Sequence, residues 1–427
     1  MIRSLIIRMR MLSLALILMA LIAALNSCSL FQEPEKTSTA NDYIYSAFEE
    51  WYLWYDQIPK LDPNDYETQQ ELIEAIKVPQ DRWSFSGSYA ELTKLFEGGE
   101  YTGFGGGFIL DNDGKIKITH VYKDSPFGRL NVERGWIVNS VNGFGVDQLN
   151  EVNNALNSND DVNFVFTDDN GEQHQSTVKK EAILMNTVLY SSIIEQENHK
   201  IGYLVFDSFL ASSEAELKTE FSNFQAQNIT DLVIDLRYNG GGLVDLAYQM
   251  VGMIGGDKVA GQTIAQVIHN DKKSSKNKPT ISQYDGPKVN INAVYFITTS
   301  GSASASELLI NSLEPFMDVK LIGSNTHGKP VGMYILSVEE LDLAILPIAF
   351  KNTNHDGYGD YYDGLPADIL EVDDLSHNWG NPEEKMLKTA LGAITGVATI
   401  ASTLKSEQIE QQKLFEYPGI HQFINAY

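Results

Sequence analysis

Three short segments carry residue types that could do chemistry together. The first is Gly301-Ser302-Ala303-Ser304-Ala305-Ser306-Glu307, set between a hydrophobic strand and a helix. Its small residues allow a sharp turn and leave room for a substrate. A serine at a helix N-terminus meets unpaired backbone N–H groups and the positive end of the helix dipole. Both favour the negative oxygen that develops when a hydroxyl attacks a carbonyl. Ser304-Ala305-Ser306-Glu307 equally fits a capping box, which requires no catalysis. The second segment is Thr326-His327-Gly328-Lys329-Pro330. A lysine between Gly and Pro, beside an apolar strand end, can be buried, and burial lowers its pKa toward the range of a useful base. His327 lies two residues away, on the same side of an extended loop, so spacing leaves it as a second candidate base. The third is Asp235-Leu236-Arg237-Tyr238-Asn239-Gly240-Gly241-Gly242, a strand end opening into glycines whose amides can face an oxyanion.

The elements that must position these segments alternate between strand and helix. Strands are expected over 200–209, 231–237, 289–299 and 319–323, and helices over 213–225, 243–254, 303–313 and 382–394. Strands separated by helices of this length specify an α/β core with crossover β/α layers, whose strand ends carry the functional loops. Residues 257–288, with clustered Lys and Ser, read as a flexible excursion. The tail from Ser402 is weakly specified.

Two further regions precede this core. Tyr45, Phe48, Trp51, Tyr52 and Tyr55 recur at three- and four-residue steps, as in an amphipathic helix capped by Asn41 or Asp42. A second helix over 66–76 completes an N-terminal helical module at 41–99, and the aromatic stripe is read as packing. From Tyr101 the pattern changes to short strands and turns. Gly103-Phe104-Gly105-Gly106-Gly107-Phe108 feeds a hairpin closed by Asp111-Asn112-Asp113-Gly114. Neither a phosphate loop nor a calcium loop fits here. No Lys-Ser/Thr follows the glycines, and the bidentate acid that would close a calcium loop is missing.

Residues 100–182 resemble a PDZ domain through the Gly-rich loop, the Ser125-Pro126 turn, and Gly135-Trp136-Ile137-Val138 with Val141-Asn142-Gly143; Trp136 stands where Asp is usual. The resemblance implies a domain that binds a peptide as an added strand, with the amides of Gly105, Gly106 and Gly107 holding its terminal carboxylate. The three chemical segments resemble those of the S41 family of serine peptidases, the C-terminal processing and tail-specific proteases. Arg237-Tyr238-Asn239-Gly240-Gly241-Gly242 matches the family's R-x-N-x-G-G loop. Ser302-Ala303-Ser304-Ala305-Ser306-Glu307 matches its nucleophile segment, and Gly328-Lys329 its basic turn. The resemblance implies a Ser–Lys dyad with Ser304 as nucleophile and Lys329 as general base, 25 residues apart, and an oxyanion hole from the amides of Gly241 and Ala305. It favours Lys329 over His327, and it calls for no cofactor and no metal ion. One position departs from the pattern. Many members carry a Gln four residues after the Lys to orient it, and here that position is Met333. Another group then orients Lys329, or activity is reduced, or the chain is a catalytically inactive peptide- or ligand-binding protein of the same fold. No G-x-S-x-G elbow supports an ordinary Ser-His-Asp hydrolase.

Composition narrows the setting. The 427 residues have a formal net charge of −26, which disfavours nucleic acid as a partner. The single cysteine, Cys28, excludes an intramolecular disulfide and a Cys-based metal cluster. Arg3, Arg8 and Arg10 precede an apolar run over 11–25, shorter than the roughly 20 residues of a membrane span. That pattern reads as an export signal over 1–27. Leu25-Asn26-Ser27-Cys28 resembles a bacterial lipobox, which implies lipidation at Cys28 and a tether over 28–40. Removing the signal takes away three positive charges and leaves −29. The expected product is an acidic body held by acyl chains to the bacterial envelope, with the outer membrane favoured because Ser29 gives no retention charge, acting on exported polypeptides. A peptidase core over 183–396 and a tail over 397–427 complete the expected organisation.

Overall fold

Residues 38–397, apart from 112 and 159, are described by the computed structural model. The expected export signal, Cys28, most of the tether and nearly all of the C-terminal tail lie outside the described residues.

Helix α1 (Ala40–Trp51) is capped by Thr39, not by Asn41 or Asp42 as expected. Thr39 Oγ1 accepts the Asp42 N–H, and an Asp42 carboxylate oxygen accepts that of Thr39. This box places Asp42 in the first turn, where its charge suits the helix dipole. Helix α2 (Gln69–Ile76) is capped in the same way by Thr68 and Glu71, so it starts three residues later than its apolar pattern suggested. Ile44 and Phe48 of α1, with Tyr52 just beyond its end, pack with Leu72, Ile73 and Ile76 of α2, while Tyr45 and Tyr55 sit at the rim. The same cluster contains Val331, Leu343, Ile345 and Ile348. The expected separate helical module is therefore fused to the core. Strand β1 (Phe85–Ser88) pairs antiparallel with residues 343–346, and beyond helix α3 (Tyr89–Gly98) strand β2 (Glu100–Gly103) pairs with residues 181–184.

A β-module follows. Strands β3 (Gly106–Leu110) and β4 (Ile116–Val121), helix α4 (Pro126–Arg129), strand β5 (Ile137–Val141), helix α5 (Leu149–Asn157) and strands β6 (Val162–Thr167) and β7 (Gln173–Val178) form an antiparallel sheet in sequence order. Alternation sets its inner face: Val162, Phe164 and Phe166 of β6 are buried and pack with Phe104, Phe108, Phe127 and Val152. Gly105 has φ +92°, and a Cβ there would stand 1.9 Å from that of Ser125. Gly106 and Gly107 lie in β3, opposite Val121 and His120, and all three glycines are buried. The stretch expected as an open Gly-rich loop is thus mostly strand. Strand β8 (Glu181–Leu184) returns the chain to β2.

The core begins with the hairpin β9 (Val188–Gln196) and β10 (His199–Phe206). Helix α6 (Ser213–Gln227) leads to β11 (Asp231–Asp235), and helix α7 (Val244–Gly255) follows. The next stretch corrects the expected flexible excursion at 257–288. It forms β12 (Thr263–His269) and β13 (Lys278–Ile281), with Ile264, Ala265 and His269 buried. The lysines that disguised it lie at the turn, where Lys272 and Lys273 pack over Tyr55 and Trp51. Strand β14 (Ala293–Thr298), helix α8 (Ala305–Leu313) and strand β15 (Asp318–Gly323) come next, then β16 (Val331–Met333), β17 (Leu336–Val338), β18 (Leu343–Leu346), β19 (Ile348–Asn354), β20 (Ile369–Leu370) and helix α9 (Lys385–Thr395).

The main sheet runs β20-β15-β14-β11-β10-β9, parallel except for β9. Successive side chains of β10 face opposite ways. Leu204 and Phe206 pack under α6, α7 and α8, while Ile201, Tyr203 and Val205 meet Met386, Leu387 and Leu391 of α9. The product is a mixed α/β core with helices on both faces. A second sheet, β13-β12-β19-β16, lies beside it, and β16 begins two residues after Lys329.

Candidate active site

The C-terminal ends of three neighbouring parallel strands, β11, β14 and β15, release the three chemical segments on one side of the sheet. In the segment after β14, Ser302 Oγ donates to the carbonyl of Leu236 (2.7 Å) and Ser306 Oγ to that of Asn239 (2.9 Å). Both serines thereby pin the β11 loop. Ser304, between them, stands at the N-terminus of α8 with φ +57° and ψ −109°. A residue with a side chain holds such a conformation at a cost of about 1–3 kcal/mol, so its surroundings must enforce it. Glu307 accepts the Ser304 N–H (2.9 Å). Gly241, at φ +103°, approaches so closely that a Cβ on it would lie 2.9 Å from that of Ser304. Ser304 is half-buried and lines a cleft of about 910 Å³ together with Lys329.

Lys329 is 3% exposed. Burial lowers its pKa to about 7, and the carboxylates of Asp81 and Glu307 act in the opposite direction. A substantial fraction of this amine is therefore neutral near pH 7, where a solvated lysine is almost wholly charged. His327, the other candidate base, points its ring at the N-terminal region: Trp83 Nε1 donates to His327 Nε2 (3.1 Å). That bond occupies the lone pair a base at Nε2 would use.

Glu307 joins the two segments. It is fully buried, and its Oε1 accepts from Thr326 Oγ1 (2.5 Å) and the Gly328 N–H (2.6 Å). Its Oε2 accepts from the N–H groups of Lys329 (2.8 Å) and Ser304. Burial raises its pKa, while these four donors favour the charged form. The sequence suggested only the cap, because the other three donors lie 19 to 22 residues further along the chain.

The expected oxyanion pair is only half open. Ala305 opens α8, and its N–H is one of the first-turn donors that have no acceptor within the helix. The Gly241 N–H instead donates to Asn239 Oδ1 (2.9 Å), and Asn239 Nδ2 is anchored on the Phe206 carbonyl (3.0 Å). Asn239 folds back on its own loop, as asparagine does in tight turns. Gly241 can serve an oxyanion only by sharing that N–H.

Met333, in β16, lines the cleft without a hydrogen bond to give. Arg237 of the β11 loop is buried and pairs with Asp235, Asp373 and Glu384. Arg134, from the β-module, donates to the Tyr238 hydroxyl (2.8 Å) and to Asp373 (2.6 Å). Burial alone would raise the Asp373 pKa, but the two arginines override it and bring it to about 2. This network fixes the base of the glycine loop.

The family model of peptidase family S41 matches residues 200–369, and that of the peptidase S41 N-terminal domain matches residues 39–85. The chain belongs to peptidase family S41. Among its relatives, a protein of Staphylococcus epidermidis named "Probable CtpA-like serine protease" is 26% identical over 335 residues, 77% of this chain and 64% of the relative. A protein of the same name from Staphylococcus aureus is 28% identical over 247 residues, 56% of this chain and 47% of the relative. The chain thus spans less than two thirds of the length of these curated relatives. A solved protein of Bacteroides fragilis, described as "Putative S41 protease", has the same fold, with a TM-score of 0.69 and 22% identity, covering 86% of this chain and all of that one.

Proposed function

We propose that the chain is a serine endopeptidase that cleaves exported polypeptides through a Ser304–Lys329 dyad. One observation carries the reading: a buried amine with a pKa of about 7 and a serine in a strained backbone conformation line one cleft, tied together by Glu307. Neutral Lys329 takes the proton of Ser304 Oγ as that oxygen attacks the scissile carbonyl. The Ala305 N–H, with the shared N–H of Gly241, receives the developing charge. Collapse expels the amine, which takes its proton from Lys329. Water then gives a proton to Lys329 as its oxygen bonds to the acyl carbon, and Lys329 returns that proton to Ser304 Oγ as the bond to serine breaks and the acyl group leaves as an acid.

In this reading residues 100–182 act as a PDZ-like module that presents substrate tails, and Cys28 carries the lipid anchor. The purified chain, incubated with a denatured polypeptide, yields fragments detectable by mass spectrometry, and Ser304→Ala yields none while still binding the peptide. Retention of peptide without cleavage by both proteins would favour the inactive binding protein. For the anchor, Cys28→Ser moves the chain from the membrane fraction to the soluble one; unchanged partition would count against lipidation.

A further inference from the structure

We propose that the turn Asp81-Arg82-Trp83 positions Lys329 for proton transfer, supplying the support that Met333 does not give. The inference rests on the reading of Lys329 as general base. The turn precedes the lysine loop by more than 240 residues yet grips it at several points. Arg82 Nη2 donates to the carbonyls of Gly328 (3.3 Å) and Tyr362 (3.1 Å), and Trp83 Nε1 donates to His327 Nε2 (3.1 Å).

The geometry of one peptide unit makes the grip specific. The Gly328 carbonyl and the Lys329 N–H belong to the same planar group. Arg82 holds its oxygen, and Glu307 Oε2 holds its nitrogen (2.8 Å). A plane held at both edges cannot rotate, so the direction in which the Lys329 side chain leaves the backbone is set. Trp83 adds a third restraint one residue earlier, at His327.

The turn is itself rigid. Asp81 Oδ1 accepts from the N–H groups of Trp83 (2.9 Å) and Ser84 (3.0 Å), and its Oδ2 from Ser84 Oγ (2.5 Å). Ser84 Oγ in turn accepts the Ile348 N–H (2.9 Å), which anchors the turn to β19. Trp83 is buried against Val331 and Ile348, and the Arg82 guanidinium lies 4.8 Å over its ring. The charged and titratable groups around the Lys329 loop include the carboxylates of Asp81 and Glu307, the Arg82 guanidinium and the His327 imidazole, and the Tyr362 ring lies 6.4 Å from that of Trp83.

The test measures kcat, KM and the pH profile of kcat on an unstructured fluorogenic peptide for Arg82→Met, Arg82→Lys, Trp83→Phe and Lys329→Ala. Arg82 is exposed, so Arg82→Met leaves the core intact and decides the matter even if Trp83→Phe folds poorly. In Arg82→Met and Trp83→Phe, kcat falls about tenfold, as expected for a reacting group displaced by a fraction of an ångström, and KM stays within about twofold. The midpoint of the pH profile moves up by about one unit as the loosened amine regains water. Arg82→Lys, which keeps a donor, recovers part of both. Parental kcat and midpoint in Arg82→Met, or a lower kcat with a parental midpoint and no recovery in Arg82→Lys, would overturn the positioning role. Lys329→Ala separates this from failure of the dyad. If it cleaves like the parent, the base assignment itself is wrong; if it is inactive while the turn variants are parental, only the inference about the turn fails.

Discussion

Lys329→Ala lowers kcat on an unfolded polypeptide by about 10³-fold, within the range lost when a positioned general base is removed. The parent's kcat rises with pH through a midpoint near 7, because the base must be unprotonated and burial lowers its pKa to about 7. The variant has no such rise. The same group leaves a mark on stability, and its sign is opposite to that of a salt-bridged lysine. The folded-state pKa is about 7 and the unfolded-state value roughly 10.4. Between these values the unfolded chain holds a proton that the folded chain has lost, so stability rises with pH across that window. Below pH 7 both states hold the proton, and the folded state bears the full penalty of a buried charge. Lys329→Met therefore raises the melting temperature more at pH 6 than at pH 10, while abolishing cleavage. A variant that melts below its parent at pH 6 would contradict the burial argument.

Glu307→Ala is the second large effect. It leaves the N–H groups of Ser304, Gly328 and Lys329 and the Thr326 hydroxyl without their acceptor in a fully buried site. Unsatisfied buried donors cost about 1–3 kcal/mol each and do not add fully, so a loss of about 4 kcal/mol is expected. That corresponds to a fall in melting temperature on the order of 10 °C. Activity falls at least as far as in Lys329→Ala, because the nucleophile and the base lose their shared anchor. Glu307→Gln keeps the shape but not the chemistry. Each carboxylate oxygen accepts two donors, and either placement of the amide NH₂ sets it against at least one backbone N–H. Glu307→Gln therefore also melts below the parent and cleaves poorly. Parental melting and cleavage in Glu307→Gln would show that the carboxylate does not hold the two segments together.

What the sequence disclosed was local. The crossover core follows from alternating apolar strands and helices, and the three chemical segments could be named because each is contiguous: alternating Ser and Ala in one, three successive glycines in another, and a Lys between Gly and Pro in the third. What it hid was long-range. Strand β1 pairs with β18 across the length of the chain, and no period in residues 85–88 announces that partner. Strands β12 and β13 were concealed by the lysines at their turn, whose charge resembles that of a solvated loop. Thr39 is the cap although Asn41 and Asp42 are the stronger capping types, because Asp42 is needed at the third helical position to complete the box. Glu307 was visible as a capping residue but not as the anchor of the lysine loop. Asn239 was visible as part of a motif but not as the side chain that occupies the Gly241 amide. Arg82 and Trp83 carried no local signal, since their function depends on a turn that only the folded chain brings to Lys329.

The central claim is that the neutral form of the Lys329 amine, substantially populated near pH 7, activates Ser304. The most direct measurement is the rate at which diisopropyl fluorophosphate modifies the protein between pH 5 and 9, with the labelled peptide identified by mass spectrometry, in the parent and in Lys329→Ala. The expected result is a single label on the peptide containing Ser304, formed at a rate that rises with a midpoint near pH 7 in the parent and is lost in the variant. A label on another residue, or equal labelling of Ser304 with the same pH dependence in both proteins, would contradict it.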